Sequence, residues 1–158
     1  MANLKTNAMR ILDKAGISYK TYTYDGKDDL IDGVSVAKKI GKPIECVYKT
    51  LVTRGASKEY YIFVIPVSGE LDLKAAARVV NEKSVEMIKV EEINKVTGYV
   101  RGGCSPIGMK KDYPTVVDES CMLLDDMIVS AGKIGYQIEL APEDLVNLIH
   151  GRIESIAL

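Results

Sequence analysis

Two β-rich runs, Tyr48 to Arg54 and Glu59 to Val67, are separated only by a turn that contains Gly55. Valine, isoleucine, threonine and tyrosine crowd both runs, and such side chains suit the pleated surface of a sheet better than the turn of a helix. A chain that must pair these runs as a hairpin has a sheet at its centre, and the remaining elements have to cover it. Those elements are legible on both sides. Thr6 offers an N-cap; Leu4, Ala8, Ile11, Leu12 and Ala15 fall on one helical stripe, and Gly16 ends it. Residues 17–24 alternate and are rich in Thr and Tyr, which predicts a strand. A polar stretch through Asp32 then leads into a short helix ending near Gly41. Residues 71–80 have the alanine content of a helix, and 91–96 predict a shorter one. The second half predicts a loop at 102–108 and strands near 114–118, 126–130 and 135–140. A closing helix follows, opened by Pro142, with Leu145, Leu148, Ile149 and Ile153 as its buried face.

Strands and helices are interspersed without regular βαβ alternation, so the pattern predicts an α/β fold with a mixed, mostly antiparallel sheet packed with helices. The 158 residues suit a single domain, 1–158, with no internal repeat or linker. Hydrophobic residues at 47% and charged residues at 27% match a soluble globular protein. The longest apolar runs, such as Tyr60 to Val67, are strand-sized, which predicts no membrane contact. Met1 to Arg10 mixes polar and basic residues where a signal peptide needs an apolar core, so the expected location is cytoplasmic.

Composition also narrows the chemistry. Cys46, Cys104 and Cys121 are odd in number and lack CxxC spacing, which suggests neither a disulfide framework nor a zinc site. His150 is the single histidine, which argues against a histidine triad or a metal cluster. Chemistry in this chain must therefore use lysine, backbone amides, hydroxyls, carboxylates or the substrate itself; no metal or cofactor is expected. A formal net charge of −1 argues against tight autonomous binding to nucleic acid, and DNA is not an expected partner. A local patch remains. Arg101, Lys110 and Lys111 flank one glycine-rich segment and Lys133 lies in another, either as solvated surface cations or as contacts to a polyanion.

Three segments stand apart from ordinary scaffold. Residues 98–111, GYVRGGCSPIGMKK, concentrate glycine and proline in a loop that could aim N–H groups at a carbonyl oxygen as it becomes negative; such loops also serve as plain turns. Lys49 interrupts the apolar run Val47 to Val52, either with its ammonium in water or as a cation held over a pocket. Residues 129–135 end a strand in small residues and offer the Ser130 hydroxyl beside flexible backbone, which is also how a tight turn reads.

Together these segments resemble the YbaK/EbsC family of tRNA deacylases, related to the editing domain of bacterial prolyl-tRNA synthetase. The resemblance runs through Val47–Tyr48–Lys49–Thr50–Leu51, Pro66–Val67, Leu71 to Lys74, Thr97–Gly98–Tyr99, Gly102–Gly103–Cys104–Ser105–Pro106 and Ser130 to Gly135. It implies a single α/β domain whose mixed, mostly antiparallel sheet, or partly closed barrel, is surrounded by helices. It also implies that Lys49 is the functional lysine and that Gly102, Gly103, Cys104, Ser105 and Pro106 form the loop whose backbone holds the substrate carbonyl. Tyr24, Thr50, Ser130, Gly132 and Gln137 become pocket positions, and Arg101, Lys110, Lys111 and Lys133 become candidate tRNA contacts. Relatives associated with cysteine editing often carry Asp where this chain has Gln137, which keeps a hydrogen-bonding group and loses the charge.

The activity so implied is deacylation of mischarged tRNA, most of all Cys-tRNA(Pro), in transient complex with prolyl-tRNA synthetase. The substrate's own thiol would attack its ester and leave a thiolactone, a lyase-like route that needs orientation more than an activated protein nucleophile. Cys104 has no histidine beside it in sequence to activate it and is read as a pocket or packing residue. Deacylation of another small aminoacyl group such as alanine, or a non-catalytic module that binds tRNA or a synthetase, are the alternatives.

Overall fold

The structure is a computed structural model that describes residues 4–158. Helix α1 (Asn7–Ala15) starts where the Thr6 hydroxyl accepts from the Met9 N–H and stops at Gly16. Its buried face is Ala8, Met9 and Leu12, while Leu4 and Ala15 of the expected stripe are exposed. Strand β1 (Lys20–Thr23) follows, then α2 (Gly33–Ile40), capped by Asp32 through the Ser35 N–H. The expected hairpin is β2 (Tyr48–Gly55) against β3 (Tyr60–Pro66), in register from Tyr48 opposite Pro66 to Arg54 opposite Tyr60. Next come α3 (Leu73–Val79), β4 (Val85–Met87), α4 (Ile93–Thr97), β5 (Thr115–Asp118), β6 (Met127–Ser130), β7 (Tyr136–Leu140), α5 (Pro142–Leu148) and β8 (Arg152–Glu154).

Five strands form one sheet in the order β4-β2-β3-β5-β8, and three form another in the order β1-β7-β6. All pairings are antiparallel except β3 with β5 and β5 with β8, which are parallel and joined by the long crossovers such pairs require. The mixed, mostly antiparallel architecture is as expected. The two sheets meet at a parallel bridge, Val47 to Ile128, while farther along that edge of β2 strand β4 pairs with Thr53, Arg54 and Gly55, and no closed barrel forms among the described residues. Ile153 lies on β8 rather than on the closing helix, which stops at Leu148. Among the described residues no helix is long and apolar enough to cross a membrane.

β3 is the centre of the core. Ile62, Phe63, Val64 and Ile65 are all fully buried, as expected of a strand covered on both faces. Phe63 and Ile65 pack with Ala76 and Ala77 of α3, whereas Val64 packs with α1 and Leu145 of α5. Asp118 fastens the far side. Its carboxylate accepts from the N–H groups of Ser120, Ile156 and Ala157 at 3.0–3.1 Å. Burial pushes the carboxyl pKa upward, but these hydrogen bonds outweigh it and hold the pKa below the usual carboxylate value. The strand so fastened also reaches α3, since the Asp72 N–H donates to Ile156 O at 2.7 Å and Leu71 bridges Ala157.

Candidate active site

A cleft of about 660 Å³ opens at the seam between the two sheets. Lys49 and Thr50 of β2 form one wall, Gly102 and Cys104 of the glycine loop another, and Ser130 and Gln137 face each other across β6 and β7 at a third. Residues directly opposite in an antiparallel pair project on the same face, so the Ser130 and Gln137 side chains arrive together. The fourth wall is Asp32, Gly33, Val34 and Val36 at the start of α2, preceded by Asp29 and Ile31. A Cβ at Gly33 would lie 2.2 Å from Cγ1 of Val67, which is how closely this helix start is drawn against the end of the hairpin.

Lys49 is partly buried opposite Ile65, and among the described residues it joins no ion pair within 4.0 Å. The Thr50 hydroxyl oxygen is buried without a hydrogen-bond partner among the described residues. Buried hydroxyls are seldom left unpaired, so a polar atom of whatever fills the cleft is the natural partner of this one. Tyr48 lies on the same wall, with its hydroxyl 2.6 Å from Ser120 Oγ; burial pushes its phenol up to about 12, so it stays neutral near pH 7.

The glycine loop is set from behind. Gly102 has φ 84°, and a Cβ there would sit 2.7 Å from Cδ1 of Ile31. Tyr99 donates to Ile107 O at 2.5 Å, and its ring lies where a Cβ on Gly132 would come within 2.8 Å. Tyr99 thus ties the loop to the turn after β6. The Gly103 N–H is used internally, donating to Val100 O at 2.9 Å, and Pro106 has no N–H to offer. Among the described residues the N–H groups of Gly102 and Cys104, both residues of the cleft lining, have no acceptor, which makes them the amides available to a ligand.

Burial pushes the Cys104 thiol up to about 11, with Thr97 opposing the shift, so at neutral pH it is protonated and a poor nucleophile. Cys104→Ser is therefore expected to keep the deacylation that the sequence resemblance implies within about threefold of the parent, a change of under roughly 1 kcal/mol in barrier. Single-turnover rates check this, and near-complete inactivation with an intact fold would return the thiol to the chemistry.

Of the other residues singled out by sequence, all but Arg101 stand outside the cleft lining. Gly103 packs its Cα against the Lys133–Ile134 backbone, and Ser105 is buried with its hydroxyl accepting from the Ile107 N–H. Pro106 and Lys111 line a separate hollow with Asn7 and Tyr113. Lys110 reaches back to Lys95 O, and the Lys133 ammonium lies 5.9 Å from the Tyr136 ring centre. Arg101 alone of the four basic candidates is at the cleft, exposed on its rim. Tyr24 has a buried hydroxyl with no partner among the described residues but stands outside the lining, with the Lys39 ammonium 5.7 Å from its ring centre. The α2 wall was not anticipated as part of the site; Asp32 had signalled a helix start and nothing more.

The model of the aminoacyl-tRNA editing domain family matches residues 32–148. A candidate Cys-tRNA(Pro)/Cys-tRNA(Cys) deacylase, EbsC of Enterococcus faecalis, is 44% identical over 152 residues, covering 96% of this chain and 93% of that protein. Among solved structures, a candidate trans-editing enzyme for prolyl-tRNA synthetase superposes with a TM-score of 0.84 at 22% identity, over 99% of each chain. The hypothetical protein APE2540 gives 0.86 at 18% identity, over 94% of this chain and 97% of that one. At these identities the two structures are similar in fold.

Proposed function

This chain belongs to the aminoacyl-tRNA editing domain family, and from that premise we propose that it hydrolyses the ester of mischarged tRNA in trans, with Cys-tRNA(Pro) as its substrate. The observation that carries the reading is the convergence on one cleft of a cation without an ion pair, a buried hydroxyl without a partner and loop amides without acceptors. Each is suited to a ligand that brings an anion, a polar group and a carbonyl oxygen, as the aminoacyl end of tRNA does.

In this scheme the ester carbonyl rests against the Gly102 and Cys104 amides. The cysteinyl thiol of the substrate attacks its own carbonyl carbon, and the oxyanion that forms accepts from those N–H groups. Collapse expels the terminal ribose oxygen, which takes the proton that left the thiol, and the released thiolactone is opened by water to free cysteine. Lys49 holds the terminal phosphate or the ester oxygen, and Thr50 bonds the amino acid. Ser130 and Gln137 confine the side chain at the opposite wall. Positioning by such groups contributes to rate without an activated protein nucleophile.

The test is a panel of tRNAs charged with cysteine, alanine or proline, incubated with the purified protein with and without chelator and without nucleotide. Rapid release of cysteine from tRNA(Pro), unaffected by chelation, is expected. Faster release of alanine would move the substrate assignment, and full dependence on metal or ATP would overturn the mechanism. A net charge of −1, with Arg101 alone of the four basic candidates at the cleft, leaves little to grip tRNA, so a transient complex with prolyl-tRNA synthetase in the cytoplasm would raise the local substrate concentration.

A further inference from the structure

One face of the molecule has no part in this reaction and yet is unlike ordinary surface. Met122 and Leu123, side by side on the 3-10 turn Glu119–Leu123, are 70% and 88% exposed. Beside them runs a hollow of about 460 Å³ lined by Leu124, Pro142, Val146 and Ile153. Contiguous apolar surface of this kind, next to a concave floor, is a mark of protein contact, and methionine is enriched at such contacts.

Charge selects the occupant. Glu119, Asp125, Asp126, Glu143 and Asp144 flank the patch in sequence, two of them on the hollow itself. None of the five lies within 4.0 Å of a lysine or arginine nitrogen among the described residues. From Asp112 to Gly151 the only lysine or arginine is Lys133. The first turn of α5 accounts for Glu143 and Asp144, which favour its positive end, but it does not account for Glu119, Asp125 or Asp126. A tRNA is repelled here by like charge. A second copy meeting this face through a two-fold axis would oppose the same carboxylates to themselves.

We propose that this face docks a protein partner through an amphipathic segment whose apolar side chains are flanked by lysine or arginine. Leu123 and Met122 provide the apolar contact, and the carboxylates fix its orientation and speed the encounter. Ser120 lies on the same turn and holds the hydroxyl of Tyr48, a residue of the cleft lining, so a docked partner would stand one side chain away from the cleft wall.

A fluorescein-labelled synthetic peptide of about fifteen residues, with leucines on one helical face and lysines elsewhere, serves as the probe in anisotropy titrations at about 0.15 M salt. Saturable binding is expected, weakened roughly tenfold or more by Met122→Ser with Leu123→Ser. Asp125→Asn with Asp126→Asn should weaken it too and flatten its salt dependence. Circular dichroism and cysteinyl-tRNA deacylation are expected unchanged in both variants, so that a failed docking result is distinct from a failed activity. Binding indifferent to the Met122 and Leu123 changes, displacement of the peptide by tRNA, or sedimentation showing a dimer lost in those variants would each overturn the proposal.

Discussion

Lys49→Ala is expected to lower single-turnover deacylation of Cys-tRNA(Pro) by about a hundredfold, or about 2.7 kcal/mol of barrier, with little change in melting temperature. The expectation rests on position. Lys49 interrupts an otherwise apolar run of β2, yet it faces the cleft and has no ion pair among the described residues. A cation left without a partner in the free protein contributes little to its stability, and removing it leaves no buried charge behind. In the proposed scheme its interaction is with the substrate. Lys49→Arg keeps the charge on a broader, planar group and should recover part of the rate. Rates and thermal melts measured on the same preparations separate the two roles; a fall of less than about threefold would remove Lys49 from the site.

Asp118→Ala should act on stability, with a loss of about 3–5 kcal/mol and a melting temperature lower by roughly 10 °C. Three backbone N–H groups share this carboxylate, and two of them, on Ile156 and Ala157, belong to the segment after β8. Alanine leaves them unpaired in a buried place. The pH dependence has a definite sign. A carboxyl pKa held low in the folded protein stabilises it above the unfolded value of 3.8, and that contribution fades as pH falls below 3.8 toward the folded value. Denaturant melts of parent and variant should therefore differ most above about pH 5 and converge in acid. A gap that is small at neutral pH, or that widens in acid, would falsify the fastening role.

The hairpin around Gly55 and the Thr6 cap were legible because each is a local device, complete within a few residues of sequence. β4 and β8 were not, since three residues carry no periodicity and their pairing is chosen by neighbours far along the chain. The same division runs through the site. Lys49 and the glycine loop stood out because each breaks the pattern of its surroundings. The α2 wall did not, because Gly33 looks like any helix start until Val67 is placed against it. Lys110 and Lys111 show the converse: adjacency to the loop in sequence did not bring their side chains to the cleft, since Lys110 folds back to Lys95 and Lys111 opens on another hollow.

The clasp of residues 152–157 onto β5 and α3 has a bearing on how the protein is made. β8 is the outer strand beside β5, and Asp118 finds two of its three donors only at Ile156 and Ala157. Synthesis must pass residue 154 before that edge can be paired and residue 157 before Asp118 has all its donors, and β1 likewise waits more than a hundred residues for its partner β7. Early hairpin formation around Gly55 can proceed on the ribosome, but closure of the domain around it waits until these distant segments have been made. Contacts this distant in sequence also slow folding, so the nascent chain passes through a stage in which the β5 edge is open to other strands.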